Sequence, residues 1–578
     1  MNDLKFFEII KLNKELASSL KTDIYKISLI SNVIINQLKE IIEYNLRLEG
    51  INAVANVGDY DNIIQDSIKF NKNNLVLVFW ELCNLSEGIY YSIDSYNEVQ
   101  LKEFVDYKKA EIDLVINNLK NTPLVLFNEF SSSPFTNNNT HNSNYDILMG
   151  ELNSYLRSQI TSNIKLININ KIYIENSIEH SIDFRYFYSS KALYTTSFFR
   201  SYTQLVKPFI MSVKGKSKKV LIFDCDNTLW NGILGEDGFE NIEMSTNSKK
   251  GVYFNEVQKI AISLNKKGVL LGLCSKNNEI DVQNVIDKHP DFQIGNNSII
   301  IKKINWLDKA SNIREIAEEL NVGLDSIVFV DDSPFEVEYV KSQLPQVTVI
   351  KVPKILSDYP KMINKASQLF YNVSFSKEDV SKTVMYQQNI KRKSLENKFE
   401  NIDDFLTSLE IKVDVIENDL MNIPRISQLT QKTNQFNLTT KRYTENEING
   451  FMLSDEYLVY SFRVSDKFGD NGITGLSILK INDKECIIDT FLMSCRIIGR
   501  KIELAFINLL IEKLKQKGFS SVSASYIKSQ KNNQVNDFYL NFNFKETSVE
   551  DLKTNYKLET NNFKSNKLKH IKINLNGK

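Results

Sequence analysis

The chain has 578 residues, with 71 Lys plus Arg balanced by 71 Asp plus Glu and only 4 His. That length calls for about three domains, and the charge balance leaves no global field to draw the chain to nucleic acid. The five cysteines (Cys83, Cys225, Cys274, Cys486, Cys495) are odd in number and scattered, which argues against a disulfide framework, and they show no zinc spacing.

The amino end alternates charged and apolar residues and lacks a signal-peptide layout. No apolar run reaches membrane-spanning length; the densest, residues 75–80, is strand-sized. A cytoplasmic protein without membrane contact is expected. Residues 1–212 alternate helical patterns with short strands at 75–80, 122–128 and 164–170, which predicts a small parallel α/β domain. The Asn-rich stretch 137–146 reads as a loop. A basic, Gly-containing joint follows at 211–219.

Residues 220–230, VLIFDCDNTLW, say most about chemistry. Val220 to Phe223 read as a buried strand. It ends in Asp224 and Asp226, then Thr228. Two acids at the carboxyl end of a buried parallel strand are costly unless a cation or substrate meets them. Strand alternation points both to one side. A second apolar strand, 269–273, leads into Cys274, Ser275, Lys276 and Asn277. Asp308-Lys309 opens a helix with Ile313, Ile316, Ala317 and Leu320 on one face, so Lys309 sits where an anion is readily neutralised. A third strand, 326–330, delivers Asp331, Asp332, Ser333 and Pro334.

This D-x-D-x-T string with its downstream serine, lysine and acid pair resembles the haloacid dehalogenase superfamily of phosphotransferases. The resemblance implies that Asp224 is the phosphoryl-accepting nucleophile and Asp226 the general acid/base, with Thr228 in the same motif. Ser275 and Lys309 would hold the transferring phosphoryl group. Asp224, Asp331, Asp332 and the carbonyl of Asp226 would hold Mg2+, which takes oxygen ligands. The spacings leave no room for a cap domain. An uncapped site favours a tethered or protein-borne substrate, and 231–245 would be a flap hairpin with Gly-Glu-Asp-Gly at its turn.

A polar, helical connector leads to the last unit. Residues 425–444 are unusually polar and read equally well as a loop bonded to its own backbone. Residues 466–475, DKFGDNGITG, read as a hairpin turning at Asp470-Asn471-Gly472. A strand at 487–494, a turn at 495–500 and an amphipathic helix from 502 follow. The late string NDFYLNFNFKE resembles the closing signature of acetyltransferase-like (GNAT) folds.

DCDNTLWNGILGEDG, INWLDKASNIREIAEELN, FVDDSPFE, TQKTNQFNLTTKRYT, DKFGDNGITG and MSCRIIGR, kept in that order, together resemble the FkbH-like proteins. The resemblance spans about residues 180–550 and implies a multidomain α/β chain. Its parts would be an SGNH-hydrolase-like domain at 1–212, an uncapped haloacid-dehalogenase-type Rossmann-like core at 213–375, a helical connector at 376–400 and an acetyltransferase-like α+β domain at 401–578. It also implies loading of a glyceryl unit from D-1,3-bisphosphoglycerate onto an acyl carrier protein, as in polyketide-type biosynthesis, with removal of the remaining phosphate.

Three departures matter. Val337 stands where the family often has arginine. Lys501 stands where an acetyltransferase pyrophosphate loop wants a small residue, so coenzyme A is not expected. Tyr60 follows Gly58-Asp59 where an SGNH nucleophile would be serine, and 183–186 lacks the histidine, so no esterase activity is expected there. Cys495 lies between a strand end and a helix start beside Arg496. That favours a reactive, acyl-carrying thiol, although an inert turn residue reads equally well. Cys225 and Cys274 read as core. His141, His180, His289 and His570 offer no triad. A plain phosphatase for a bulky phosphoester and a non-catalytic carrier-protein scaffold are the alternatives.

Overall fold

The computed structural model describes residues 4–135, 143–373, 377–380, 382–396, 398–529, 531–565 and 568–576. His141 and residues 137–142 of the Asn-rich stretch lie outside these. Ser143 caps a helix Asn144–Gln159, so the stretch ends in a helix start rather than a loop. The chain forms two compact units, Met1–Ile210 with Tyr443–Glu447, and Met211–Arg442 with Ile448–Lys578.

The first unit carries a five-stranded parallel sheet in the order β2-β1-β3-β4-β5: β1 Tyr25–Ser31, β2 Ala53–Val57, β3 Leu75–Phe79, β4 Leu124–Asn128 and β5 Ile164–Ile167. All five residues of β3 and of β4 are buried, as a sheet covered on both faces requires. Gly58 follows β2, and residues 184–190 are helical. Glu81 sits just past β3 and is buried beside Tyr194 and Asn128.

The second unit holds two sheets. The first is parallel, in the order β10-β9-β6-β7-β8: β6 Val220–Phe223, β7 Leu270–Ser275, β8 Ile299–Ile304, β9 Ile327–Asp331 and β10 Thr348–Lys351. Its connections are the helices Gly251–Lys266, Glu279–Lys288, Lys309–Glu319 and Pro334–Gln343. None of them carries an inserted domain. Residues 231–245 are not a flap hairpin: Leu234–Asp237 is a single helical turn, and one antiparallel bridge, Asn231 to Glu243, closes the segment. The Asp237 carboxylate accepts from the Ile233 N–H at 2.7 Å, which favours the helical turn over strand pairing.

The second sheet is mostly antiparallel, in the order β17-β18-β16-β15-β14-β13-β11-β19, with β12 paired on β15. Its strands are β11 Ile411–Glu417, β12 Phe436–Asn437, β13 Tyr457–Asp466, β14 Gly469–Asn482, β15 Glu485–Met493, β16 Ser521–Ile527, β17 Lys545–Glu550, β18 Lys553–Glu559 and β19 Ile571–Asn576. β15 and β16 run parallel, joined by the helix Ile502–Gln516, whose Phe506, Ile507, Leu510 and Ile511 are buried in the core.

Two polar strings fold differently from expectation. Residues 423–432 are a helix whose Arg425, Ser427, Gln428, Thr430 and Gln431 are buried, so the string is an interior polar helix rather than a loop. The hairpin β13–β14 turns at Lys467-Phe468, with Asp466 paired to Gly469. Asp470, Asn471 and Gly472 lie inside β14. There Ser465 pairs with Asp470 but Arg463 with Ile473, so β14 carries an extra residue, and Gly472 at φ 67° absorbs it.

Candidate active site

Neighbouring parallel strands bring their carboxyl ends to one edge, and the expected groups meet there. Asp224 follows β6 and its N–H donates to the Val330 carbonyl on β9 at 2.9 Å. Asp331 ends β9 and Ser275 ends β7. Lys309 is the first residue of its helix, and the capping Asp308 carboxylate accepts from the Ser311 N–H at 2.8 Å. Lys309 is 3% exposed, Asp224 6% and Asp331 0%.

The Lys309 ammonium donates to Asp331 Oδ2 at 2.6 Å and stands 3.1 Å from Asp224 Oδ1. Burial alone would lower the Lys309 pKa, but the two carboxylates outweigh it and raise it. Burial, reinforced by the Asp224 charge, pushes the Asp331 and Asp332 carboxyls up. Three acids share one lysine, so the site carries excess negative charge.

Asp224, Asp331 and Asp332 each offer an oxygen within 4.8 Å of the others. Asp224 Oδ1 is buried, and the Lys309 ammonium 3.1 Å away is its one polar partner among the described residues. An oxygen-only cluster of three carboxylates that one lysine does not neutralise fits a hard divalent cation.

The Asp226 carboxylate stands apart from that trio. Its Oδ1 accepts from Trp230 Nε1 at 2.9 Å and from the Leu234 N–H at 3.0 Å, and its Oδ2 accepts from Asn277 Nδ2 at 2.8 Å. Burial raises its pKa, and these three donors oppose the rise. Thr228 is fully buried. Its Oγ1 has no partner among the described residues, and its carbonyl accepts from the Tyr359 hydroxyl at 3.0 Å. Ser275 is buried, its hydroxyl against the Cys225 thiol. Cys225 packs with Phe223 and Leu229, and burial pushes its thiol well up.

Asn277 and Trp230 are the residues that motif reading missed. Asn277 stands two places past Ser275, and that offset was the available signal. Val337 is buried, and its neighbour Glu336 pairs with Lys276 at 2.6 Å.

Cys495 does not join this cluster. Its carbonyl accepts from Asn321 Nδ2 at 2.8 Å, just past the far end of the helix that Lys309 begins. That helix of 11 residues spans roughly 16 Å at 1.5 Å per residue. The expected helix start beside the thiol is also displaced. Cys495–Ile497 is a short 3-10 turn and the long helix begins only at Ile502, seven residues on, so Cys495 is not in its first turn. Arg496 hydrogen-bonds Ser494 Oγ and Met385 Sδ rather than the thiol. Cys495 is half-buried, 4.0 Å from the Tyr386 hydroxyl. Lys501, at φ 60°, turns its side chain to Asp403 at 2.8 Å.

No family model matches the chain, and no curated protein matches it. Among solved structures it is similar to the N-terminal part of the protein BF1531 from Bacteroides fragilis, which contains a phosphatase domain and was crystallised with Mg. The identity is 25%, the match covers 64% of this chain and 100% of that one, and the TM-score is 0.57. The ribosomal-protein-S18-alanine N-acetyltransferase from Escherichia coli matches at 13% identity and a TM-score of 0.21, over 26% of this chain and 94% of that one. The chain therefore resembles a protein with a phosphatase domain over most of its length.

Proposed function

We propose that the chain is a magnesium-dependent phosphatase of phosphate monoesters. The observation that carries this reading is the buried Lys309 held between Asp224 and Asp331 at the carboxyl edge of the parallel sheet, with Asp332 completing three carboxylates. The Mg of the BF1531 structure supports the choice of ion. Asp224, Asp331, Asp332 and the carbonyl of Asp226 would hold it, and when bound it offsets the charge between carboxylates and phosphoryl oxygens.

Asp224 attacks phosphorus and the ester P–O bond breaks. Asp226 gives a proton to the departing alkoxide oxygen. Its Oδ2 accepts one hydrogen bond where Oδ1 accepts two, so the proton is best carried there. Asp226 then takes a proton from water as that water attacks the aspartyl phosphate, releasing phosphate and restoring Asp224. Lys309 and Ser275 hold the phosphoryl oxygens. Phosphate release from a simple monoester, with and without Mg2+, tests the reading. Folded Asp224→Asn protein that released phosphate at the parent rate would overturn it.

The finer reading rests on the FkbH-like resemblance: transfer of a glyceryl unit from D-1,3-bisphosphoglycerate through Cys495 to an acyl carrier protein, followed by removal of the second phosphate. The partial exposure of Cys495 supports it. Because Cys495 and Asp224 lie at opposite ends of one helix, this reading requires two sites and a tethered intermediate that travels between them.

A further inference from the structure

The loops that leave the carboxyl ends of the parallel strands are apolar where they meet solvent. Among the described residues of 213–373, seven large hydrophobic side chains are exposed. Six of them follow a strand's carboxyl end: Ile233 after β6, Ile280 after β7, Trp306 and Leu307 after β8, Phe335 after β9 and Ile355 after β10. The seventh, Leu369, lies at the other end, its carbonyl accepting from the Lys218 N–H ahead of β6 at 2.8 Å. Apolar side chains scattered singly over a surface need no explanation, but a set confined to the edge that holds Asp224 does. The first five each stand one to four residues from a group already placed there. Ile233 precedes Leu234, whose N–H binds Asp226, and Ile280 is three past Asn277. Trp306 and Leu307 are three and two before Lys309, and Phe335 is four past Asp331.

Trp306 is 76% exposed and Phe335 69%, and local structure holds them so. The Asn305 side chain accepts from the Leu307 N–H at 3.0 Å and exchanges hydrogen bonds with the Asn312 side chain at 2.9 and 3.1 Å. The Asn305 N–H in turn donates to the Ser275 carbonyl at 3.1 Å, which ties the turn to the acid site. Phe335 stacks on Tyr339 with ring centroids 6.0 Å apart and planes 7° from parallel. The helices that follow these residues, Lys309–Glu319 and Pro334–Gln343, share one core through Ile313, Ile316, Val340 and Leu344. They therefore lie on the same face of the sheet and bring Trp306, Leu307 and Phe335 to one side of the acid edge. Lys276 lies between the two apolar segments: it pairs with Glu336 at 2.6 Å and its charge acts on Asp308. A second anionic group on a ligand would find that lysine already paired.

We propose that Trp306, Leu307 and Phe335 form a lip that binds the apolar part of the alcohol whose phosphate enters the acid site. The substrate is then a monoester with an aliphatic or aromatic chain rather than a free polyol phosphate. This rests on the phosphatase reading of that site. The site itself sets what covers the lip. Asp224 attacks from the buried strand end, and attacking and leaving oxygens stand in line, so the ester oxygen points to the open edge. No inserted domain receives the alcohol there, and the exposed loops are the surface it meets. Contacts to a part of the substrate that does not react are made equally before and in the transition state, so the lip acts on KM rather than on kcat.

The chain has three tryptophans, and Trp80 and Trp230 are buried, so acrylamide quenching of its fluorescence reports on Trp306. The test compares hexylphosphonate, which has no ester bond to cleave, with ethylphosphonate and hexanol on the full wild-type chain in Mg2+. Hexylphosphonate is expected to protect Trp306, and ethylphosphonate to displace it only at concentrations at least about tenfold higher, the worth of four half-buried methylenes. Hexanol, which lacks the anion, should not protect at the same concentration. In turnover, kcat/KM for hexyl phosphate should exceed that for ethyl phosphate by a similar factor, through KM. Trp306→Ala/Phe335→Ala should bring that ratio to about one. Protection by hexanol equal to that by hexylphosphonate would sever the lip from the acid site. A ratio near one in the wild type, or one that survives the double substitution in folded protein, would leave the lip to a polypeptide partner. Each of these results overturns the proposal. Protection without hydrolysis of either ester would sink the phosphatase reading instead, because protection is read without turnover.

Discussion

Lys309 Nζ stands between Asp331 Oδ2 at 2.6 Å and Asp224 Oδ1 at 3.1 Å, with all three residues buried. A buried ion pair is an uncertain source of net stability, but removing one partner leaves a charge that nothing compensates. Lys309→Met is therefore expected to cost about 3–5 kcal/mol and to lower phosphate release by at least about a hundredfold, as the loss of a preorganised electrostatic group does. Mg2+ should raise the melting temperature of the variant more than that of the parent, since the cation then offsets carboxylates that have lost their lysine. Calorimetry with and without Mg2+ checks this; an equal rise in both proteins counts against the carboxylate trio as the metal site.

Asn277 holds the second oxygen of Asp226 at 2.8 Å. It favours the ionised carboxylate, so its loss should raise the Asp226 pKa further. Asn277→Ala is expected to lower kcat by about tenfold or more, the equivalent of one hydrogen bond to a charged group. It should also move the alkaline limb of the pH–rate profile upward, because the acid keeps its proton to higher pH. A slower enzyme with an unmoved limb would make Asn277 a packing residue only.

Glu81, in the first unit, gives a pH signature of its own. Burial pushes its carboxyl from 4.5 to about 7, against the lowering effect of Tyr194 and Asn128. Between those values the folded state keeps a proton that the unfolded chain has released. Stability therefore falls as pH rises from about 4.5 to about 7, and the loss is complete above that window. At about 1.4 kcal/mol per unit the span is up to about 3 kcal/mol. Glu81→Gln should remove this slope and raise the unfolding temperature of the first unit above pH 7, as scanning calorimetry across pH 4 to 8 would show.

The acid edge was legible because its cost is local. Asp224 and Asp331 after apolar strands, and Lys309 beside a capping Asp308, break the usual link between burial and apolarity, and a short string exposes that. The helix 423–432 was not legible by the same logic. Periodicity arguments take the buried face to be apolar, yet Arg425, Gln428 and Thr430 are buried and satisfy one another and the backbone. Asp470-Asn471-Gly472 has the chemistry of a turn, but strand pairing places it in a bulge, and the turn falls on Lys467-Phe468, which carry no turn signal. The distance between Cys495 and the acids depends on how a helix end meets a second sheet, and no local string records that.

That separation makes the division of labour testable. Asn321 bonds the Cys495 carbonyl past one end of the helix that begins with Lys309. A thiolate at Cys495 that attacked the acyl carbon of 1,3-bisphosphoglycerate would expel phosphate and leave a phosphoglyceryl thioester, which the Asp224 site would then hydrolyse to the glyceryl form. Cys495→Ser is expected to abolish acyl labelling of the chain and of the carrier protein while leaving hydrolysis of a simple monoester at the parent rate, since among the described residues Cys495 bonds Asn321 and Tyr386 rather than Asp224. Asp224→Asn should do the reverse and accumulate the phosphorylated thioester. Intact-protein mass spectrometry separates the two adducts by one phosphate. Labelling that survives in Cys495→Ser but disappears in Cys225→Ser would move the acyl chemistry to the carboxylate edge, where Cys225 lies between Asp224 and Asp226, and would leave the molecule with a single reaction centre.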